Sequence, residues 1–97
     1  MATIYKNISS ASTETLITKG GSVGGSISKI TITNHDNTDL TIIKLYLYDG
    51  TNTYTLYETT VPPLATLVLD DNLDFDSTVY NLKIDSSTTA EITIIIK

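Results

Sequence analysis

The sequence predicts an all-β protein, a small antiparallel β-sandwich of Ig-like or jelly-roll-like type with about seven or eight short strands. Three observations predict it. Residues 40 to 84, LTIIKLYLYDGTNTYTLYETTVPPLATLVLDDNLDFDSTVYNLKI, break into short strand-like runs. Turn signals at Asp49-Gly50, Pro62-Pro63 and Asp70-Asp71-Asn72 punctuate them at roughly eight- to twelve-residue spacing. Thr, Ile, Tyr and Val are abundant while Ala, Glu and Met are scarce, which favours strands over helices, and no window carries a convincing helical period.

The strands follow in order. Residues 1–12 form an N-terminal arm or a first strand with Ile4 and Ile8 as apolar points, and residues 13–97 form a single sandwich domain. As an arm, 1–12 would be dispensable for the fold. TETLITK, residues 13–19, is the next strand, but adjacent Leu16 and Ile17 leave its buried face open. GGSVGG, residues 20–25, is a loop whose glycines visit positive φ cheaply; without a P-loop Lys or a following helix it cradles no phosphate. SISKITITN alternates cleanly, with Ile30 and Ile32 on one face. The polar turn from Asn34 to Asp39 leads into Leu40–Tyr48, where Leu40 and Ile42 take one phase and Ile43, Leu45 and Leu47 the other. Such a break means a bulge or a strand covered on both faces.

Lys44, Tyr46 and Tyr48 then face outward, and Tyr57 on the neighbouring strand completes a Tyr-lined surface. That surface is an interface or simply cross-strand cover. Pro62-Pro63 marks an edge or a crossing between sheets. LATLVL, apolar on both faces, is expected among the most buried segments. Leu73 and Phe75 anchor an Asp-rich loop, and Tyr80, Leu82 and Ile84 point inward. In the last strand Ala90, Ile92, Ile94 and Ile96 alternate inward, which leaves Ile95 outside as a contact candidate beside Tyr46, Tyr48 and Tyr57.

Composition limits the function. At 97 residues the chain is one domain that buries roughly 60–65% of its unfolded surface, so its stability wants support. Disulfides are excluded by the absence of Cys, leaving a metal or neighbouring subunits. A net charge of −5, with six Lys and no Arg, argues against nucleic acid and anionic membranes as partners. MATIYKNISS lacks the apolar core of a signal peptide, and Ile94-Ile95-Ile96 is far short of a span, so a soluble protein made in a cytoplasm is expected. Catalysis is not expected. The one His, His35, sits in a polar turn, and neither a Cys nucleophile nor a nucleophile elbow is present. No cofactor is expected either. Asp70, Asp71, Asp74 and Asp76 offer hard oxygens suited to Ca²⁺, but their spacing departs from the EF-hand loop, and they are read as a solvated acidic turn ahead of a Ca²⁺ site.

The order of segments also resembles a family. A Ser-Ile-x-x-Ile strand precedes TITNHDNTDLTI, LYLYDGTNTYTLYE, VPPLATLVLDDNLDFDS and YNLKI. The runs DGT-x-x-Y-x-L, P-x-x-A-T-L-V-L-D and F-D are its most specific part. This pattern, over about residues 13 to 97, resembles small β-rich virion structural proteins of tailed bacteriophages. Pro62-Pro63 stands where the compared members usually place a single proline. The resemblance implies a compact sandwich that decorates or cements a phage capsid as a homo-oligomer on the major capsid protein. It implies a place in the virion after synthesis in the host cytoplasm, and it transfers no catalytic residue. A neck or tail accessory protein is the nearest alternative. A carbohydrate-binding or adhesion module is the alternative from another class, weakened by the absence of Trp.

Overall fold

The chain is one long antiparallel hairpin rolled up on itself. The structure is a computed structural model that describes residues 3–21, 24–70, 72–87 and 91–97. Among the described residues ten strands form: β1 (Ile4–Ile8), β2 (Ser12–Ile17), β3 (Ser26–Ile27), β4 (Ile30–Asn34), β5 (Thr41–Tyr48), β6 (Thr53–Val61), β7 (Thr66–Leu69), β8 (Leu73–Asp74), β9 (Asn81–Ser86) and β10 (Ile92–Ile96). β5 pairs with β6, β4 with β7, β3 with β8, β2 with β9 and β1 with β10, so every strand of the first half meets its mirror-image strand in the second. The hairpin tip is the turn at Asp49–Asn52. There the Asp49 carboxylate accepts from the N–H groups of Thr51 (2.8 Å) and Asn52 (2.7 Å), and Gly50 takes φ 101°.

Rolling the hairpin gives two four-stranded sheets, β1-β10-β4-β7 and β2-β9-β5-β6, with β3-β8 as a short ribbon. This double-sheet winding is the jelly roll rather than the immunoglobulin arrangement. The core lies between the sheets. Ile8, Ile30, Ile32, Ile92, Ile94 and Ile96 come from the first sheet, and Ile17, Ile43, Leu45, Leu82 and Ile84 from the second. Full burial of each such side chain stabilises by roughly 1.5–3 kcal/mol. Period-2 alternation holds in β4, β9 and β10, as read from the sequence. Leu73 and Phe75 pack on the core from their loop, and Ile95 is on the outer side of β10. Ala90 lies outside the described residues.

Where the sequence was ambiguous, bulges decide. A register shift between Thr15 and Ile17 turns both Leu16 and Ile17 inward. Leu45 pairs with Tyr57 but Tyr46 with Thr55, so Leu56 is an extra residue in β6 and both Leu56 and Tyr57 pack on the core. Tyr57 is therefore not on the outer surface with Tyr46 and Tyr48. The other phase of the first β5 segment stays outside, with Leu40 and Ile42 half exposed.

One further expectation is corrected, and another is resolved between its two alternatives. LATLVL is not among the most buried segments, because β7 is a sheet edge. Leu67 and Leu69 are only half-buried, while Val68 and Leu64 are exposed. Residues 4–8, expected as an arm or a first strand, are β1; Ile8 sits in the core, so these residues serve the fold. Pro62-Pro63 does mark the crossing, carrying the chain from β6 in one sheet to β7 in the other. At the lateral edge formed by β1 and β2, Lys6 and Glu14 lie opposite the buried Ile94 and Ile84, hence on the inner faces, and pair at 3.5 Å. Inward charges of this kind protect open edges from further strand addition.

Candidate functional site

Three surfaces are candidates for function, and each follows from register. On the outer face of the β2-β9-β5-β6 sheet, Thr13, Asp85, Lys44 and Glu58 form one row, and Thr15, Lys83, Tyr46 and Thr55 the next. The Asp85 carboxylate accepts from the Thr13 hydroxyl (2.6 Å) and the Tyr46 hydroxyl (3.1 Å). Lys44 Nζ lies 5.4 Å from the centre of the Tyr46 ring, and Lys83 Nζ the same distance from the Tyr48 ring. The Tyr48 hydroxyl donates to the Gly50 carbonyl at 3.0 Å. Tyr46 is only 8% exposed as a result. Burial, then the Asp85 charge, pushes its hydroxyl above the ordinary tyrosine value of 10.0. These tyrosines are covered by cross-strand partners within their own sheet.

The outer face of the β1-β10-β4-β7 sheet is different. Register places Tyr5, Ile95, Thr31 and Val68 side by side in one row across all four strands. Tyr5 is 72% exposed at one edge of the row, and Val68 is exposed at the other. The next row, Asn7, Thr93, Thr33 and Thr66, is uncharged and tied by hydrogen bonds, Thr93 to Asn7 at 2.8 Å and Thr33 with Thr66 at 3.1 Å. Ile95 was legible as outward from alternation alone. Tyr5 and Val68 were not, because their joining it requires the pairing of three distant segments.

The third surface is the end of the sandwich where β4 turns to β5 and β6 crosses to β7. Buried Asn34 donates through Nδ2 to the carbonyls of Asp39 (2.8 Å) and Val61 (3.1 Å) and accepts from the Asp36 N–H (3.1 Å). Its backbone N–H donates to Ala65 at 2.9 Å. Asp36 accepts from the backbone N–H groups of Thr38 and Asp39, which hold its carboxyl below the ordinary 3.8. The Ala65 N–H closes a turn onto the Pro62 carbonyl at 3.2 Å, with Pro63 and Leu64 in the middle. Leu64 takes φ 59° and is 71% exposed. Left-handed geometry costs an L-residue roughly 1–2 kcal/mol, and Gly or Asn is the usual occupant of this turn position.

An open depression of about 410 Å³ adjoins this end, lined by Asn7, Ile8, Ser9, His35, Glu91, Ile92 and Thr93. His35 Nδ1 is 3.4 Å from Glu91 Oε2. Among the described residues no hydrogen bond joins the Ser9 hydroxyl to the His35 ring, whose Nδ1 faces Glu91 instead. Of the acidic residues considered for Ca²⁺, Asp71 lies outside the described residues. Asp76 accepts from the Thr78 N–H and hydroxyl, which hold its carboxyl below 3.8. Among the described residues no three of His, Cys, Asp and Glu come together as a metal site.

No protein-family model and no curated protein matches this chain. Solved structures do. Two crystal structures of a pentameric capsid protein isolated from metagenomic phage sequences superpose with TM-scores of 0.56 at 16% identity. The match covers 98% of this chain but 59% and 61% of those chains, so this chain spans about three-fifths of their length. The crystal structure of PirA matches with a TM-score of 0.57 at 10% identity, over 97% of this chain and 90% of that one. A Clostridium thermocellum xylanase structure, CBM22-1–GH10 modules complexed with xylohexaose, matches with a TM-score of 0.50 at 13% identity, over 90% of this chain and 19% of that one. At these identities the likeness is one of fold.

Proposed function

We propose that this chain is a non-enzymatic structural protein of a tailed-bacteriophage particle, a capsid-decoration or cement protein bound outside the shell as a homo-oligomer. The observation that carries the reading is the jelly-roll likeness to a pentameric phage capsid protein along nearly the whole chain. The motif order from DGTNTYTL through ATLVLD points the same way. On this reading the partners are the major capsid protein and further copies of the chain, and the site of action is the virion after synthesis in the host cytoplasm. The uncharged Tyr5–Ile95–Thr31–Val68 face would lie across a seam between subunits, where large rigid apolar groups contribute most. Tyr48, on the opposite outer face, would take no part in that seam, and Tyr46 and Tyr57 would support the fold. A neck or tail position uses the same surfaces with fewer copies.

The likeness to the xylanase modules favours a second reading, a carbohydrate-binding module. Lysines lying over the Tyr46 and Tyr48 rings work against it, since sugar platforms need open aromatic faces. The test of the first reading is the copy number of this protein in purified particles relative to the major shell protein. A ratio near one to one supports decoration. A small fraction moves it to the neck or tail, and absence from the particle overturns the virion reading.

A further inference from the structure

We propose that the turn from Pro62 to Ala65 is a docking tip, and that Leu64 inserts into an apolar pocket with a basic rim on the shell protein. The inference rests on the virion reading above and names the contact within it. Leu64 is the wrong residue for its place by two independent criteria. Its φ of 59° is one that Gly or Asn adopts without strain, and at 71% exposure its side chain gains nothing from the core in return. A residue that serves neither backbone nor packing is explained by what it touches outside the fold.

The rest of the end is built to present it. Pro63 presets the turn, the Leu64 N–H donates to the Asp36 carbonyl at 3.2 Å, and Ala65 accepts from Asn34 at 2.9 Å. Asn34 also holds the Val61 carbonyl before the turn, so the tip is fixed from both sides. A side chain held in place before contact loses little freedom on docking. Apolar surface continues beside it. Thr41 pairs with Val61 and Ile42 with Thr60, which sets half-exposed Leu40 and Ile42 along the strand leading to Pro62.

Charge selects the partner. Asp36, Asp39 and Glu91 cluster at this end with His35. Among the described lysines, Lys29 and Lys97 sit at the far end of the first sheet, Lys19 is bound to Asn81 beyond the far end of β2, and Lys6, Lys44 and Lys83 lie mid-strand. Like charge thus disfavours the same end of a second copy, and a basic rim on another protein complements it.

The test uses Leu64→Gly and Leu64→Asn, residues that accept positive φ, in binding assays on particles assembled without this protein. Both variants should melt at or above the wild-type temperature and bind at least tenfold more weakly, with wild-type binding weakened by added salt. A photo-crosslinker in place of Leu64 should mark the shell protein. Wild-type-like binding by Leu64→Gly overturns the docking tip while leaving the virion reading intact. A lower melting temperature for both variants overturns it too, because Leu64 would then serve the fold. Crosslinks to a second copy overturn the shell partner. Failure of the wild-type protein to bind particles removes the virion reading itself.

Discussion

Replacing Asn34 by Ala tests whether one buried amide ties the β4–β5 turn to the start of the β6–β7 crossing. Asn34 is 0% exposed. Its truncation strands the Val61 carbonyl, which is buried, and the Asp39 carbonyl and Asp36 N–H, which are partly buried. An orphaned buried acceptor costs about 1–3 kcal/mol, and each partly wetted bond about 0.5–1.5 kcal/mol, so the expected loss is about 3 kcal/mol. A domain of this size is stable by roughly 5–15 kcal/mol, and about 4–8 °C of Tm accompanies each kcal/mol. Urea unfolding followed by circular dichroism should show that loss at an unchanged m-value. Asn34→Asp sharpens the test at constant volume. It removes both Nδ2 donors and sets a carboxylate against two carbonyl oxygens, which raises the folded pKa of the new group above its unfolded value. Its penalty should therefore grow as pH rises above about 4 and shrink toward acid. A loss below about 1 kcal/mol for Asn34→Ala, or a pH-independent penalty for Asn34→Asp, would refute the hub.

Other expectations follow from the same geometry. Gly25→Ala drives a methyl group into the Phe75 carbonyl, at a close approach where the Phe75 N–H already donates to the Gly25 carbonyl at 3.0 Å, whereas a methyl at Gly24 meets nothing. Denaturation should show a loss of about 1–3 kcal/mol for Gly25→Ala and a change within about 0.5 kcal/mol for Gly24→Ala; equal effects would refute the close approach. Backbone donors hold Asp36 and Asp49 below 3.8, and Thr78, chiefly through its hydroxyl, does so for Asp76. The unfolded chain then binds more protons, so stability is full above the unfolded value and falls as pH drops through the lower folded ones. Urea midpoints should decline below about pH 4, and the Asn triple variant at 36, 49 and 76 should lose that decline; an unchanged acid limb counts against it. Lys6→Val with Glu14→Val removes an ion pair worth less than about 1 kcal/mol but unblocks an edge. Size-exclusion should show concentration-dependent association beyond the wild-type state, and an unchanged elution volume would sink the edge-protection argument.

How much was legible depended on how local the cause was. Alternation in SISKITITN and in the Ile92–Ile96 strand depends on each residue and its second neighbour, and both strands formed with the faces read from it. The Asp49-Gly50 turn was legible because a carboxylate and a glycine suffice to make it. LATLVL misled because two apolar faces imply burial only when something covers both, and β7 ended at an edge. Tyr57 misled because a bulge at Leu56 shifts every later side chain of β6 to the other face, and one inserted residue carries no compositional mark.

The sequence by itself determined an all-β sandwich, its turns, its isoleucine-rich inner faces and the absence of disulfides. Only the tertiary structure decided that the hairpin winds into a jelly roll, that Tyr5 joins Ile95 and Val68, and that Leu64 stands out from the Asn34 hub. The physical reason is distance along the chain. Alternation and turn chemistry act between near neighbours, whereas pairing Tyr5 with Ile95 requires the two ends of the rolled hairpin to meet.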